Sequence, residues 1–384
     1  MKITLQPEVL AWARDRGQLS REDLAKKVGT SVEKVAGWEE EGELTWKQAE
    51  KVAAATRTPF GYLFLESPPE ERLPIPDFRT HRGRAVGRPS PDLIDVLHQS
   101  LRRQDWFRDY LVAEEEEPLG FVNSVDVGQS PERVATAIRR ELGFHPSEST
   151  ERTLEGVLND LCAAIEAIGI LVVRAGIVGN ATRRKLDPEE FRGFALVDEY
   201  APLIFVNAAD FKAAQIFTLI HEVVHLWVGQ SAIFNLENTY SPRDQRVEAY
   251  CNAVAAEYLV PIQELRELVQ QDESEPGQLV ERLRRRYRVS DLVIIRRLHD
   301  IGQINRNQFK AWYEERLDQH ADSPRASGGD FYRNQPGRIG PRFSRALVAS
   351  TLEGRTLIRD ALSLLGFSKV ETFRKFASEL KFSV

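Results

Sequence analysis

His221-Glu222-Val223-Val224-His225 is the stretch of this chain whose residue types and spacing could do chemistry. It lies in a segment, Phe217 to Trp227, whose apolar side chains recur at helical spacing. On a helix, the first and fifth positions stand one turn apart on one face, so two imidazoles can grip a single metal ion. Glu222 projects from a neighbouring position, where a general base must stand to take a proton from a metal-bound water. With seven histidines in 384 residues, a chance pentad of this kind is on the order of one chain in a hundred. A metal-free helix would also bury Glu222 among Val223, Val224 and Leu226, which is costly without a partner.

Catalytic metal sites of this class use three protein ligands and leave one position for water, so a third ligand is needed. The histidine-rich extension of the metzincins requires glycine at 228 and histidine at 231. This chain has Val228 and Ser231, which excludes that class. A carboxylate on a following helix remains. Residues 243–259 are the next helical segment, and there Glu248 stands one turn from Asn252. Glu248 can ligate the metal while Asn252 reaches the free ring nitrogen of a ligand histidine. Glu237, Asp244 and Glu257 are the competing carboxylates.

The elements that must position these groups read as follows. Three apolar runs, 170–173, 191–197 and 202–207, predict short strands, with 198–201 a tight hairpin link, and they lead directly into the His221 helix. A small sheet beside a metal site offers an edge on which an extended peptide could pair. Amphipathic helices are expected over 92–112, 130–142 and 153–168. Beyond Pro261 come further helices, with an arginine-rich stretch from Arg282 to Arg297 that reads either as a nucleic-acid surface or as residues pairing with nearby carboxylates. Residues 318–341 read as a polar link, and the remainder as a last helical pair.

At the other end, residues 1–66 read as a run of short helices. Ser20, Ser31 and Thr45 are expected N-caps, and Gly29 sits in a helix-turn-helix turn. Ten Lys and Arg stand there against eleven Asp and Glu, a poor electrostatic footprint for duplex DNA. If the unit contacts DNA, Arg21, Ser31 and Lys34 are the residues expected to face it; otherwise it is a helical bundle for protein contacts or dimerisation. The proline- and arginine-rich stretch 67–91 reads as a linker. The domain organisation expected is therefore 1–66, linker 67–91, 92–317, linker 318–341 and 342–384, in an α+β, mainly helical chain.

Composition narrows the class. The chain is 42% hydrophobic and 29% charged, as soluble globular proteins are, and its formal net charge of −6 argues against a surface that coats nucleic acid. No uncharged apolar run is long enough for a membrane span, and the N-terminus lacks signal-peptide features. Cys162 and Cys251 are too few and too far apart in sequence for a disulfide framework or a cysteine-rich zinc site, so a reducing cytoplasm is the expected location.

Two resemblances add to this reading. Leu19 to Ala25, Val28 to Ser31 and Trp38-Glu39 resemble the XRE-type helix-turn-helix. The segment Phe217 to His225, followed by Glu248-Ala249-Tyr250-Cys251-Asn252 and on to Pro261, resembles the ImmA/IrrE family of metallopeptidases, some of which carry an XRE-type domain in front. The resemblance covers most of the chain, strongly at the two motifs and weakly between 90 and 190. It implies a zincin-like peptidase domain with Zn2+ ligands His221, His225 and Glu248 and with Glu222 as general base. It also implies a role in regulated proteolysis, the expected substrate being a helix-turn-helix repressor or similar partner protein. A DNA-binding regulator or antitoxin with a peptidase-like sensor domain is the alternative. The chain departs from the family pattern at Cys251 and Val254, positions expected to affect packing alone.

Overall fold

The computed structural model describes every residue except 72, 74–79, 82–83, 86–88, 152, 235–241, 273, 313–336 and 383–384. The chain divides into two compact units, Met1–Pro74 with Val86–His98, and Ile75–Ala85 with Gln99–Val384. Its class is α+β and mainly helical.

The N-terminal unit holds α1 (Pro7–Arg16), α2 (Arg21–Val28), α3 (Val32–Glu41) and α4 (Trp46–Thr56). Each start is explained locally. Pro7 opens α1, the Ser20 hydroxyl and Asp23 carboxylate form a full capping box on α2, Ser31 caps α3, and Thr45 with Gln48 caps α4. Gly29 ends α2 in the left-handed conformation. Val9, Leu10, Leu24, Val28, Val35, Trp38, Val52 and Leu63 form the core. A two-stranded piece joins it that the all-helical reading lacks: β1 (Lys2–Thr4) pairs antiparallel with β2 (Glu43–Thr45), Ile3 opposite Leu44. Strands of three residues are too short for a period-two signal to stand out. Gly42 makes their approach feasible, since a Cβ there would lie 2.0 Å from the Leu5 carbonyl oxygen.

In the second unit, α6 (Pro131–Leu142) and α7 (Leu154–Ala167) precede a four-stranded sheet. Its strands are β5 (Leu171–Ala175), β6 (Gly193–Leu196), β7 (Leu203–Asn207) and β8 (Ala232–Phe234), in the order β5-β7-β6-β8. A separate short hairpin, β3 (Thr80–His81) with β4 (Arg84–Ala85), comes earlier in the chain. β5 runs parallel to β7, and β6 runs antiparallel to both β7 and β8. The three strands expected from sequence are present; β8 is additional. The β6–β7 turn is held by Asp198, whose Oδ1 accepts from the backbone N–H groups of Tyr200 and Ala201, each at 2.9 Å. Gln104, from α5 (Pro91–Ala113), donates to the carbonyls of Leu196 and Ala201.

Against this sheet and the flanking helices pack α8 (Lys212–Val228) and α9 (Pro242–Leu259), their apolar side chains making one continuous core with α6 and α7. The helices α10 (Ile262–Gln270), α11 (Pro276–Tyr287) and α12 (Asp291–Asp300) follow. Most of the arginine-rich stretch is tied to carboxylates: Arg282 to Asp272, Arg284 and Arg285 to Glu281, Arg286 to Glu264 and Arg296 to Asp300. The end of the chain forms three helices rather than a pair, α13 (Pro341–Leu352), α14 (Ile358–Leu365) and α15 (Val370–Glu379). Gly354 and Gly366, both at positive φ, break the periodic pattern that reads as continuous in the sequence.

Candidate metal centre

α8 is apolar on nearly every side, and from Thr218 to Trp227 all its residues are buried, which marks a helix sunk in the core. Its last turn, which carries His225, is fixed from outside. Gly229 closes the helix at φ 75°, and a Cβ there would come within 2.3 Å of the Asn123 side-chain oxygen. The backbone N–H groups of Asn123 and Val125 take up the carbonyls of Leu226 and Trp227, each at 3.0 Å. Phe121 stacks on Trp227 with ring centroids 4.1 Å apart. The imidazoles are thus held by a helix that cannot easily fray.

α9 lies against α8 and brings Glu248 to the histidines. His221 Nε2 lies 3.2 Å from one oxygen of Glu248, His225 Nε2 lies 3.1 Å from the other, and the two Nε2 atoms are 3.0 Å apart. All three residues are fully buried. They form the one group of this kind among the described residues that could hold a metal ion. Two features favour a metal over an ordinary hydrogen-bonded cluster. Neither Glu248 oxygen accepts an aligned hydrogen bond, so the three side chains converge lone pairs on one point. Ligand atoms around a tetrahedral zinc, with bonds of roughly 2.0–2.2 Å, stand about 3.3–3.5 Å apart, close to the spacing found here. The donor set, two imidazoles and a carboxylate, fits such an ion.

The electrostatics follow from burial and proximity. Burial works to raise the Glu248 carboxyl, but the two adjacent imidazoles overcome it and hold the group well below the usual carboxylate range. Burial lowers the His221 pKa, against the pull of Glu248. At His225 the net direction is opposite: burial again lowers the pKa, but neighbouring Cys251 and Glu248 together outweigh it and raise the group. Glu222 is fully buried, and neither of its oxygens meets a hydrogen-bond donor. Desolvation pushes its pKa well up, with the nearby His225 offsetting part of the effect.

Asn252, one turn beyond Glu248, stands beside His221 and favours its charged form. Cys251 is completely buried and lies beside His225, where it raises the imidazole's pKa. Among the competing carboxylates, Glu257 faces Arg297, which also donates to the Val260 carbonyl at 2.7 Å, and Glu237 lies outside the described residues. Arg296 is exposed beside Asp300, and Arg297 is engaged with Glu257. Gly193 escaped sequence reasoning. It begins β6, and a Cβ there would lie 2.6 Å from Thr218 Cγ2, 2.8 Å from the Phe205 carbonyl and 3.0 Å from Glu222 Oε1. An isolated glycine opening a strand was the available signal of such a close approach.

In the N-terminal unit, Arg21 Nε donates to Glu39 Oε2 at 2.7 Å, Ser31 caps α3 by accepting from the Lys34 N–H, and the Lys34 side chain is exposed. Glu39 also takes Arg14 Nε at 2.5 Å.

A small mixed sheet against a buried helix, with His, His and Glu converging and an unpartnered glutamate beside them, defines a metallopeptidase-type domain. Residues 165–299 match the IrrE N-terminal-like domain, a peptidase family. Residues 339–379, which hold α13 to α15, match a domain family of unknown function. No curated protein matches the chain. No described helix is long and apolar enough to cross a membrane.

Proposed function

We propose that this protein is a zinc-dependent endopeptidase of regulatory type, cytoplasmic, that cuts a helix-turn-helix repressor or similar partner protein. The observation that carries the peptidase reading is the fully buried, unpartnered carboxylate of Glu222 beside the convergence of His221, His225 and Glu248. These three residues hold the metal, with Asn252 beside the His221 ring and Cys251 beside the His225 ring to orient them. When bound, zinc acidifies water and polarises the scissile carbonyl. Glu222 accepts one proton of the attacking water at its carboxylate and passes it to the departing nitrogen, so the C–N bond breaks to give a carboxylate and an amine. The apolar surroundings of Glu222 keep bulk water from competing for that proton. An extended substrate has the sheet beside α8 as its natural template.

The alternative, a DNA-binding regulator with a silent peptidase-like domain, gains little from Arg21, whose guanidinium is committed to Glu39. The two readings separate in one experiment. Wild-type protein and Glu222→Gln are analysed for zinc and then incubated with a candidate helix-turn-helix repressor. Cleavage by wild type alone, at equal zinc content, is expected. An intact repressor in both samples, together with tight binding of a promoter fragment, overturns the peptidase reading.

A further inference from the structure

β6 is the strand laid against the chemistry: its Gly193 approaches Glu222 so closely that a Cβ would stand 3.0 Å from Oε1. One edge of β6 pairs with β7. The other pairs with the chain's own β8, Gly193 opposite Phe234, Phe194 opposite Ile233 and Ala195 opposite Ala232. β8 begins almost at once after α8 ends, and it is pinned at its start, where the Val197 N–H donates to Ser231 Oγ at 2.8 Å. Ile233 anchors it with a fully buried side chain.

We propose that β8 is an internal occupant of the peptide-pairing edge of β6, and that an extended substrate binds by displacing it. The inference rests on reading the centre as a peptidase site. Its geometric ground is the strand spacing of about 4.8 Å. A peptide paired directly with β6 lies one spacing from the strand that touches Glu222. A peptide added outside β8 lies two spacings away, beyond reach of the base. β8 is also suited to leave: it is three residues long and, among the described residues, pairs with no strand but β6. Short edge segments with few backbone bonds open at low cost. Until it is displaced, β8 shields the edge of β6 from unintended pairing and holds cleavage in check.

The test locks β8 in place and reads peptide binding rather than turnover. Ala195→Cys and Ala232→Cys are combined in the Glu222→Gln background, and the pair is closed with glutathione disulfide and opened with TCEP. Binding of fluorescein-labelled, unfolded β-casein is followed by anisotropy, with each single-cysteine variant under the same oxidant as control for Cys162 and Cys251. The locked form is expected to bind at least tenfold more weakly than the reduced form. Equal binding, or none in either form, overturns the proposal. Should the cysteine pair fail to fold, Ile233→Ala, which removes the buried anchor, is expected to bind casein more tightly than its parent, and equal or weaker binding overturns the proposal. Lock-dependent binding without any cleavage by the wild-type centre would leave the proposal standing and refute hydrolysis.

Discussion

Both units of this chain shield a glutamate side chain from solvent, and they treat it in opposite ways. In the N-terminal unit the Glu39 side chain is 4% exposed, and each of its oxygens has its own guanidinium, Arg14 on one and Arg21 on the other. In the second unit Glu222 and Glu248 are fully buried, and no donor among the described residues is aligned on their oxygens. A buried carboxylate with complete partners pins two helices together. One left without them signals a group that the protein itself does not supply. The contrast separates a structural ion pair from a reactive centre using only burial and hydrogen-bond geometry.

The comparison can be broken most forcefully at Glu222. Glu222→Gln should lower the rate of repressor cleavage by about 10²–10⁴, the range for losing a general base, with zinc retained; a rate within a few-fold of wild type would remove Glu222 from the reaction. Asn252→Ala should weaken zinc binding by about 10–100-fold through the loosened His221 ring, measured by competition with a chromophoric chelator. In the other unit, Glu39→Ala should cost about 1.5–3 kcal/mol in denaturant unfolding, because the carboxylate that joins Arg14 and Arg21 is lost while Arg14 keeps only Asp15 and the Leu19 carbonyl, and should leave zinc affinity untouched. Arg21 is 45% exposed, so Arg21→Ala should cost about 1 kcal/mol or less.

A smaller effect concerns Glu166, near the end of α7, whose Oε1 accepts from the Arg342 N–H at 3.4 Å, at the start of α13. Burial pushes its pKa up to about 7, against the opposing pull of the backbone N–H groups of Arg342 and Val172. A folded-state pKa above the unfolded one favours the protonated form on folding. Its contribution to stability is therefore complete below the unfolded pKa of about 4.5 and is lost as pH rises through 7. Glu166→Gln should raise the melting temperature relative to wild type at pH 8 and have a much smaller effect at pH 4; equal shifts at both would contradict the assignment.

The sequence made the reactive half of this contrast legible because helical periodicity alone puts His221 and His225 on one face and Glu222 beside them. Glu248 could be preferred, though not isolated, since Asn252 one turn on suggested a paired arrangement while Glu257 offered no visible reason to be excluded. That reason is Arg297, forty residues away in sequence but adjacent in space. The structural half was less legible. Glu39 stands beside Glu40 and Glu41, and no local pattern singles it out, because its guanidiniums come from other helices. β1, β2 and β8 have three residues each, too few for alternation to emerge, and β8 follows an apolar helix that masks it. The contact of Gly193 with Glu222 and that of Cys251 with His225 are long-range facts that no local pattern carries.

The most direct test of the contrast is the zinc content of purified wild-type protein and of Glu248→Ala, measured by mass spectrometry of the metal after dialysis against a weak chelator. One zinc per wild-type chain, lost in the variant while the fold survives, is the result predicted. A wild-type protein that retains no zinc, or a variant that keeps it, would contradict the claim that the unpartnered carboxylates mark a metal centre.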